Sequence, residues 1–390
     1  MFIDAMSVGL ILPVMPGLIT ELSSLPNNQA ARIGGELLTL FALMQFFFAP
    51  ILGALSDRFG RRKILLFAVL GLSIDYFIMA MAPTLFWLYV ARFISGICGA
   101  TYAAANAAIV DVTSPEKRAR NFGLAGASVG IGLIFGPAIG GVIGEYGVRL
   151  PFLFAGVLSM VVVIAGFFFL PETLAKENRR SFSWLRANPI GAVISISKNP
   201  AVITTLCALF LIQLASQSYN SIWSFFTIEL AGWTPGQIGI SIGLYGILIA
   251  IVQGGLTGPA VARFGEIRMI VVSLAIGIVV YIGLANAGGP GAIYFWIVIG
   301  GLSGFVFPAM QALMSKQVGD DAQGELQGAV GASFSLSAVI GPFVMTRVFS
   351  YFSGDNIYFP GAPFLVSAGF IILASAVFFK AQQFYRHNKV

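Results

Sequence analysis

Apolar runs of the length a bilayer span requires, about 20 residues each, recur along the chain and are separated by short polar stretches. Six fall near residues 5–21, 34–55, 64–82, 85–109, 122–144 and 150–170, and six more near 201–226, 236–258, 269–287, 291–314, 326–349 and 361–380. A segment crossing hydrocarbon must satisfy its own backbone polar groups, so each run predicts a helix. The expected fold class is therefore an all-α membrane protein with twelve transmembrane helices. The longest polar stretch, Lys176 to Pro200, predicts a cytoplasmic linker over 174–200 between six-helix bundles at 1–173 and 201–390.

The two halves repeat one another. Gly53, Arg58, Phe59, Gly60 and Lys63 recur 205 positions on as Gly258, Arg263, Phe264, Gly265 and Arg268. Gly136 and Pro137 recur as Gly341 and Pro342, Gly123 as Gly328 and Asn106 as Gln311, at the same displacement. Parallel halves of this kind place a substrate site near the bilayer midplane, where they meet.

Composition agrees with the pattern: 57% of residues are hydrophobic and only 10% charged, against about 25% charged in soluble domains. The net charge of +6 is a topology signal. Of the 22 Lys and Arg residues, 18 lie in even-to-odd connections, the linker or the C-terminal tail. Only Arg32, Arg149 and Arg347 lie on the other side, and Arg92 lies within a span. The positive-inside rule then puts both termini in the cytoplasm of a multi-pass inner-membrane protein, and no nucleic-acid partner is implied. Cys98 and Cys207 fall in apolar runs and predict no disulfide. The first run carries Asp4, lacks a basic leader and a small-residue cleavage motif, and so is expected to be a span continuing upstream rather than a signal peptide. No phosphate-binding Gly-x-x-x-x-Gly-Lys loop occurs, and the single histidine, His387, has no metal-ligating company. The sequence predicts no enzyme, cofactor or metal site, and a monomer working on a small-molecule substrate and protons in a lipid bilayer.

Several residue groups carry candidate chemistry. Gly53-Ala-Leu-Ser-Asp57-Arg58-Phe-Gly60-Arg61-Arg62-Lys63 ends the second helix on the cytoplasmic side. Its small residues allow close helix approach, and Asp57 with Arg58, Arg61 and Arg62 can form charge-assisted pairs that exist in one gate state only. Asp111, at the cytoplasmic end of the fourth helix, is an expected partner. The fifth helix reads Gly123, Gly132, Gly136, Pro137, Gly140, Gly141, a surface thinned for packing and bent by proline. Asp75 is the only charged residue between Ile64 and Ala82, and an acid at bilayer depth is a functional hypothesis by default. Asp75 lies eight residues before Pro83 and Arg92 nine after it, so both sit roughly 12 to 14 Å from the outer turn. A purely structural ion pair is the competing reading. Asp4, if membrane-embedded, is a third group for proton coupling.

Uncharged polar residues cluster in the second half. On the seventh helix Gln213, Gln217, Asn220, Ser221 and Ser224 recur at three- and four-residue steps beside Tyr219 and Trp223. They form a stripe suited to a ligand or, alternatively, to helix–helix hydrogen bonds. Tyr102 and Asn106 on the fourth helix, with Phe305, Phe307 and Gln311 on the tenth, would complete an aromatic, uncharged cavity fitting lipophilic, planar, polyfunctional molecules.

Taken together, these motifs resemble the major facilitator superfamily, and within it the bacterial tetracycline/proton antiporters. The likeness rests on Asp4-Ala-Met-Ser-Val-Gly9-Leu-Ile-Leu-Pro13-Val-Met-Pro16, the loop after Gly53, Asp75, Arg92-Phe-Ile-Ser-Gly96, the fifth-helix glycines, and Met310-Gln311-Ala312-Leu313-Met314-Ser315-Lys316-Gln317-Val318. Ser7 stands where a glycine is usual. The resemblance implies a two-bundle facilitator fold, proton coupling through Asp4, Asp75 and Arg92, and drug efflux, the fifth-helix motif marking exporters. Those antiporters carry an acid in the ninth helix, whereas Met269 to Asn286 is uncharged and Gly277 stands about where that acid would fall. Substrate and proton number are left open. The alternatives are a proton-coupled symporter importing a sugar or metabolite, and a non-transporting membrane receptor of the same fold.

Overall fold

In a computed structural model of the protein the apolar runs form helices whose breaks follow proline, glycine and polar side chains. The structure describes residues 1–99, 102–114, 117–180, 200–319, 322–354 and 357–387. The first half contains α1 (Phe2–Ile11), α2 (Met15–Ser23), α3 (Asn27–Phe59), α4 (Arg61–Met81), α5 (Leu85–Cys98), α6 (Tyr102–Asp111), α7 (Arg118–Gly144) and α8 (Leu150–Phe169). The second contains α9 (Pro200–Ala231), α10 (Pro235–Ile251), α11 (Thr257–Phe264), α12 (Glu266–Ala285), α13 (Pro290–Gly301), α14 (Val306–Ser315), α15 (Gln323–Phe352) and α16 (Ala362–His387). A π-helical turn, Val252–Leu256, joins α10 to α11, and the Thr257 hydroxyl donates to the Val252 carbonyl at 2.8 Å. A 3₁₀ turn, Leu302–Phe305, joins α13 to α14.

Among the described residues ten helical stretches are long and apolar enough to cross a membrane, and the bent pair α1 and α2 makes an eleventh. That pair is bent by 47° around Pro13, whose ring removes a backbone donor and clashes with the preceding turn. The predicted run 85–109 divides into α5 and α6 on either side of two residues outside the described set. Much of the predicted linker, 181–199, also lies outside the described residues. The all-α expectation meets one small departure, an antiparallel ladder of Ser353–Gly354 (β1) with Ile357–Tyr358 (β2). Large apolar side chains face outward along the spans, as with Phe169 at 83% exposure, an arrangement that hydrocarbon tolerates and water does not. The chain is a multi-pass membrane protein.

Two compact units divide the chain. Unit 1 comprises Met1–Pro26, Glu36–Asn188 and Trp233–Gly243, and unit 2 comprises Asn27–Gly35, Pro189–Gly232 and Leu244–Val390. Lipid tails are as apolar as leucine, so helices associate through close packing and polar contacts rather than by expelling water. In unit 1, α4 meets α8 where the Phe77 ring lies over Gly156 and the Ser73 hydroxyl donates to the Gly156 carbonyl at 2.8 Å. In unit 2, Asn27 donates to the Phe225 carbonyl at 2.9 Å and to the Glu229 carboxylate at 2.8 Å, tying the start of α3 to α9.

Candidate functional site

The deepest charges in unit 1 meet. Asp75 on α4 is fully buried, and Arg92 on α5 donates to its Oδ2 at 2.5 Å and to the Met79 sulfur at 2.8 Å. The Arg92 guanidinium also lies 5.8 Å from the centre of the Phe41 ring, a cation–π contact. Asp75 Oδ1 and Arg92 Nε are buried without a hydrogen-bond partner, so the pair is incompletely satisfied in a medium where unpaired polar atoms are costly. Gly96 permits this arrangement, because a Cβ there would stand 2.6 Å from both the Phe41 carbonyl and the Met44 Cβ on α3. Asp4, in the first turn of α1, is half-buried.

At the cytoplasmic end of α3 the charged cluster organises around Arg61. Its guanidinium pairs with Asp57, donates to the Ser56 hydroxyl at 2.6 Å, and reaches Asp111 at the end of α6 at 3.3 Å. Thr173 donates to the same Asp111 oxygen at 3.2 Å. Gly60 has a φ of 102°, a backbone conformation L side chains rarely adopt, and a side chain there would strike the Glu172 carboxylate. That carboxylate accepts the Arg61 backbone N–H at 2.8 Å. Arg62 donates to the Phe167 carbonyl at 2.5 Å, while Arg58 is exposed over the Phe59 ring. Gly53 is half-buried on α3, where Ser56 donates to its carbonyl at 2.7 Å.

The fifth-span glycines seat α7 directly on α1. A Cβ at Gly132 would lie 2.5 Å from the Phe2 carbonyl, one at Gly136 would lie 2.5 Å from the Met6 carbonyl, and one at Gly140 would collide with the Leu10 carbonyl. Pro137 fills the matching hollow at Gly9. Just past α7, Glu145 accepts the Gly236 backbone N–H at 2.8 Å at the start of α10. The Thr234 side chain, and then that backbone bond, hold its carboxyl below the usual carboxylate range.

The polar residues of the second half are dispersed. Gln213, Gln217, Ser221 and Ser224 on α9 are buried, whereas Asn220 is exposed and donates to the Gln217 amide oxygen at 3.5 Å. Gln217 packs its aliphatic stem on Gly341. Trp223 is packed against Tyr219, Phe226 and Phe364, and Phe305 sits with Val252 and Met269 in an apolar cluster of unit 2. Both side chains are buried against these neighbours. Gln311 is half-buried and donates to Gln327 at 3.5 Å. Asn106 is exposed, and the Tyr102 side chain lies outside the described residues. Gln213 and Phe307 line a partly open cavity of about 270 Å³ in unit 2.

The sequence profile described as the Major Facilitator Superfamily matches residues 1–290 and 205–390. The chain belongs to this superfamily. It is 40% identical to the class C tetracycline resistance protein of Escherichia coli over 348 residues, covering 89% of this chain and 87% of that protein. It is 27% identical over 382 residues to multidrug resistance protein 2 of Bacillus subtilis, covering 95% of this chain and 90% of that protein. A bacterial homologue of the human lysosomal transporter Spinster superposes with a TM-score of 0.80 at 17% identity, over 99% of this chain and 95% of that one, and this likeness shows the facilitator fold.

Several residues that join these clusters in this facilitator chain gave no signal in the sequence. Glu172 lies on the polar run after α8 and gave no periodic signal, yet it braces the Arg61 backbone. Met79, one turn from Asp75, reads as an ordinary apolar position until its sulfur meets Arg92. Ser273 and Gln253, which line the unit 2 cavity, lie in runs whose apolar character hides them.

Proposed function

We propose that this protein exports lipophilic, drug-like small molecules from the cytoplasm in exchange for protons. One observation carries the reading: a fully buried carboxylate, Asp75, with one oxygen on Arg92 and the other unpartnered. A proton on Asp75 removes the charge that holds Arg92, so a single protonation changes the pairing of both groups. Asp4, half-buried in the first turn of α1, is the second carboxylate of this proton site. The named functions of the two curated relatives, tetracycline and multidrug resistance, support export of drugs.

In this reading α5 and α6 form one span, making twelve spans in six-helix bundles at 1–173 and 201–390 joined by a cytoplasmic linker at 174–200. The protein is a monomer of the inner membrane with both termini in the cytoplasm, and its substrates are small molecules and protons. The Arg61 cluster with Asp57, Arg58, Arg62 and Asp111 is the cytoplasmic gate latch, and the Gly132, Gly136, Pro137 and Gly140 face holds α1 during exchange. Substrate and proton each favour release of the other, as linkage requires of an antiporter, and the site is exposed alternately to the two sides of the membrane.

The test is proton release from proteoliposomes with an imposed pH gradient on adding tetracycline, ethidium and a panel of lipophilic compounds. Native protein is expected to release protons on substrate addition, and Asp75→Asn to release none. Silence of the native protein across the whole panel would overturn the reading.

A further inference from the structure

The cavity in unit 2 is bounded by α9, α10, α12, α14, α15, α16 and the turns before α11 and α14. At about 270 Å³ it is roughly twice the ~150 Å³ cavity that accommodates a benzene ring, so its size suits a two-ring fused system. Two of its wall residues carry polar atoms that are buried and unsatisfied. Gln213, 4% exposed, has its carbonyl oxygen near the Ser333 and Ser337 hydroxyls at 3.5 Å, while its Nε2 has no partner. Ser273, 2% exposed, has an unpartnered Oγ. Buried donors left unpaired are costly, and a ligand oxygen would satisfy them.

The rest of the wall defines the shape and charge of that ligand. Ser273, Gly277 and Tyr281 follow one another at four-residue steps, so they share one stripe of α12. A Cβ built on Gly277 would meet only the Ile371 methyl, at 3.9 Å, which leaves the middle of the cavity open. Tyr245, stacked on Tyr219 with centroids 5.0 Å apart and rings 12° from parallel, provides a flat aromatic flank. None of the described lining residues is charged, so a cation entering here would lose its hydration without gaining a counter-charge from them.

We infer that this cavity is a seat for the flat, uncharged, oxygen-bearing end of the exported molecule, with Gln213 and Ser273 binding its carbonyl or hydroxyl oxygen, Gly277 leaving the room it occupies and the uncharged wall selecting against cations. The inference rests on the export reading and adds the substrate class. It is tested with purified protein in detergent and no pH gradient, by fluorescence titration with 7-methoxycoumarin and with its trimethylammonium-bearing counterpart. Native protein is expected to bind the neutral coumarin at least roughly tenfold more tightly than the cation, and Gln213→Leu to weaken the neutral probe by about tenfold. Gly277→Asp shifts preference towards the cation. Gly277→Leu, which fills the cavity with an apolar side chain, abolishes binding of the neutral probe and serves if the aspartate variant does not fold. Equal affinity for the two probes, no binding of either, or an affinity unchanged in both Gln213→Leu and Gly277→Leu would overturn the inference. Because binding is read without proton flux, failure here leaves the exporter reading standing, whereas failed antiport with intact binding removes that reading and leaves the cavity a binding seat for a molecule that is not exported.

Discussion

Asp75 and Arg92 stand 17 positions apart and meet at 2.5 Å between two spans. Removing one member of such a buried pair leaves an uncompensated charge and costs about 3–5 kcal/mol, whereas replacing both with apolar side chains of similar size is often neutral. Asp75→Leu is therefore expected to lower the unfolding midpoint of the detergent-solubilised protein, and Asp75→Leu with Arg92→Met to restore much of it while leaving transport absent. A double variant as unstable as the sum of its singles would show that the two residues do not act as a pair. Both charges were legible as anomalies in apolar runs, and counting residues from Pro83 placed them at one depth. Their mutual orientation was not legible, because helix azimuth depends on which neighbour each helix packs against.

Along α7 the glycines divide by what lies opposite them. A Cβ at Gly136 would press on the Met6 carbonyl at 2.5 Å and the Gly9 Cα at 2.9 Å, both backbone atoms that cannot swing aside. At Gly123 and Gly126 nothing lies within 4 Å. Gly136→Val is expected to separate α7 from α1 and to abolish export, together with the monodisperse peak in size-exclusion chromatography, whereas Gly123→Ala leaves both unchanged. Equal tolerance at the two positions would remove the close-packing account of this face. The spacing of the glycines announced a packing helix, and its partner, the Phe2 to Leu10 backbone of α1, emerged only in the fold. On α9 the polar stripe divided in the same manner: Gln213 lines a cavity, Gln217 packs on Gly341, and Trp223 joins an aromatic cluster. Periodicity assigns residues to one helical face without saying what that face meets.

Across the whole molecule, charge distribution carries a topological expectation. With Cys98 and Cys207 replaced by serine, a membrane-impermeant maleimide added to intact cells is expected to label Tyr146→Cys and to spare Lys117→Cys and Arg268→Cys until the membrane is permeabilised. The reverse pattern would invert the proposed orientation. Tyr146 is suited to this because it is 83% exposed in the connection between α7 and α8. The sequence by itself determined that the chain crosses a membrane many times, that its halves repeat, and that it carries buried charge and a basic loop of facilitator type. Those properties follow from hydropathy, spacing and the cost of charge in hydrocarbon, which are local to a segment. Only the tertiary structure decided that Arg61 bridges Asp57 and Asp111, that Met79 supports Arg92, and that Gly277 opens an uncharged cavity beside Gln213 and Ser273. Each of those depends on side chains from different helices converging, and that convergence is set by the packing of entire spans.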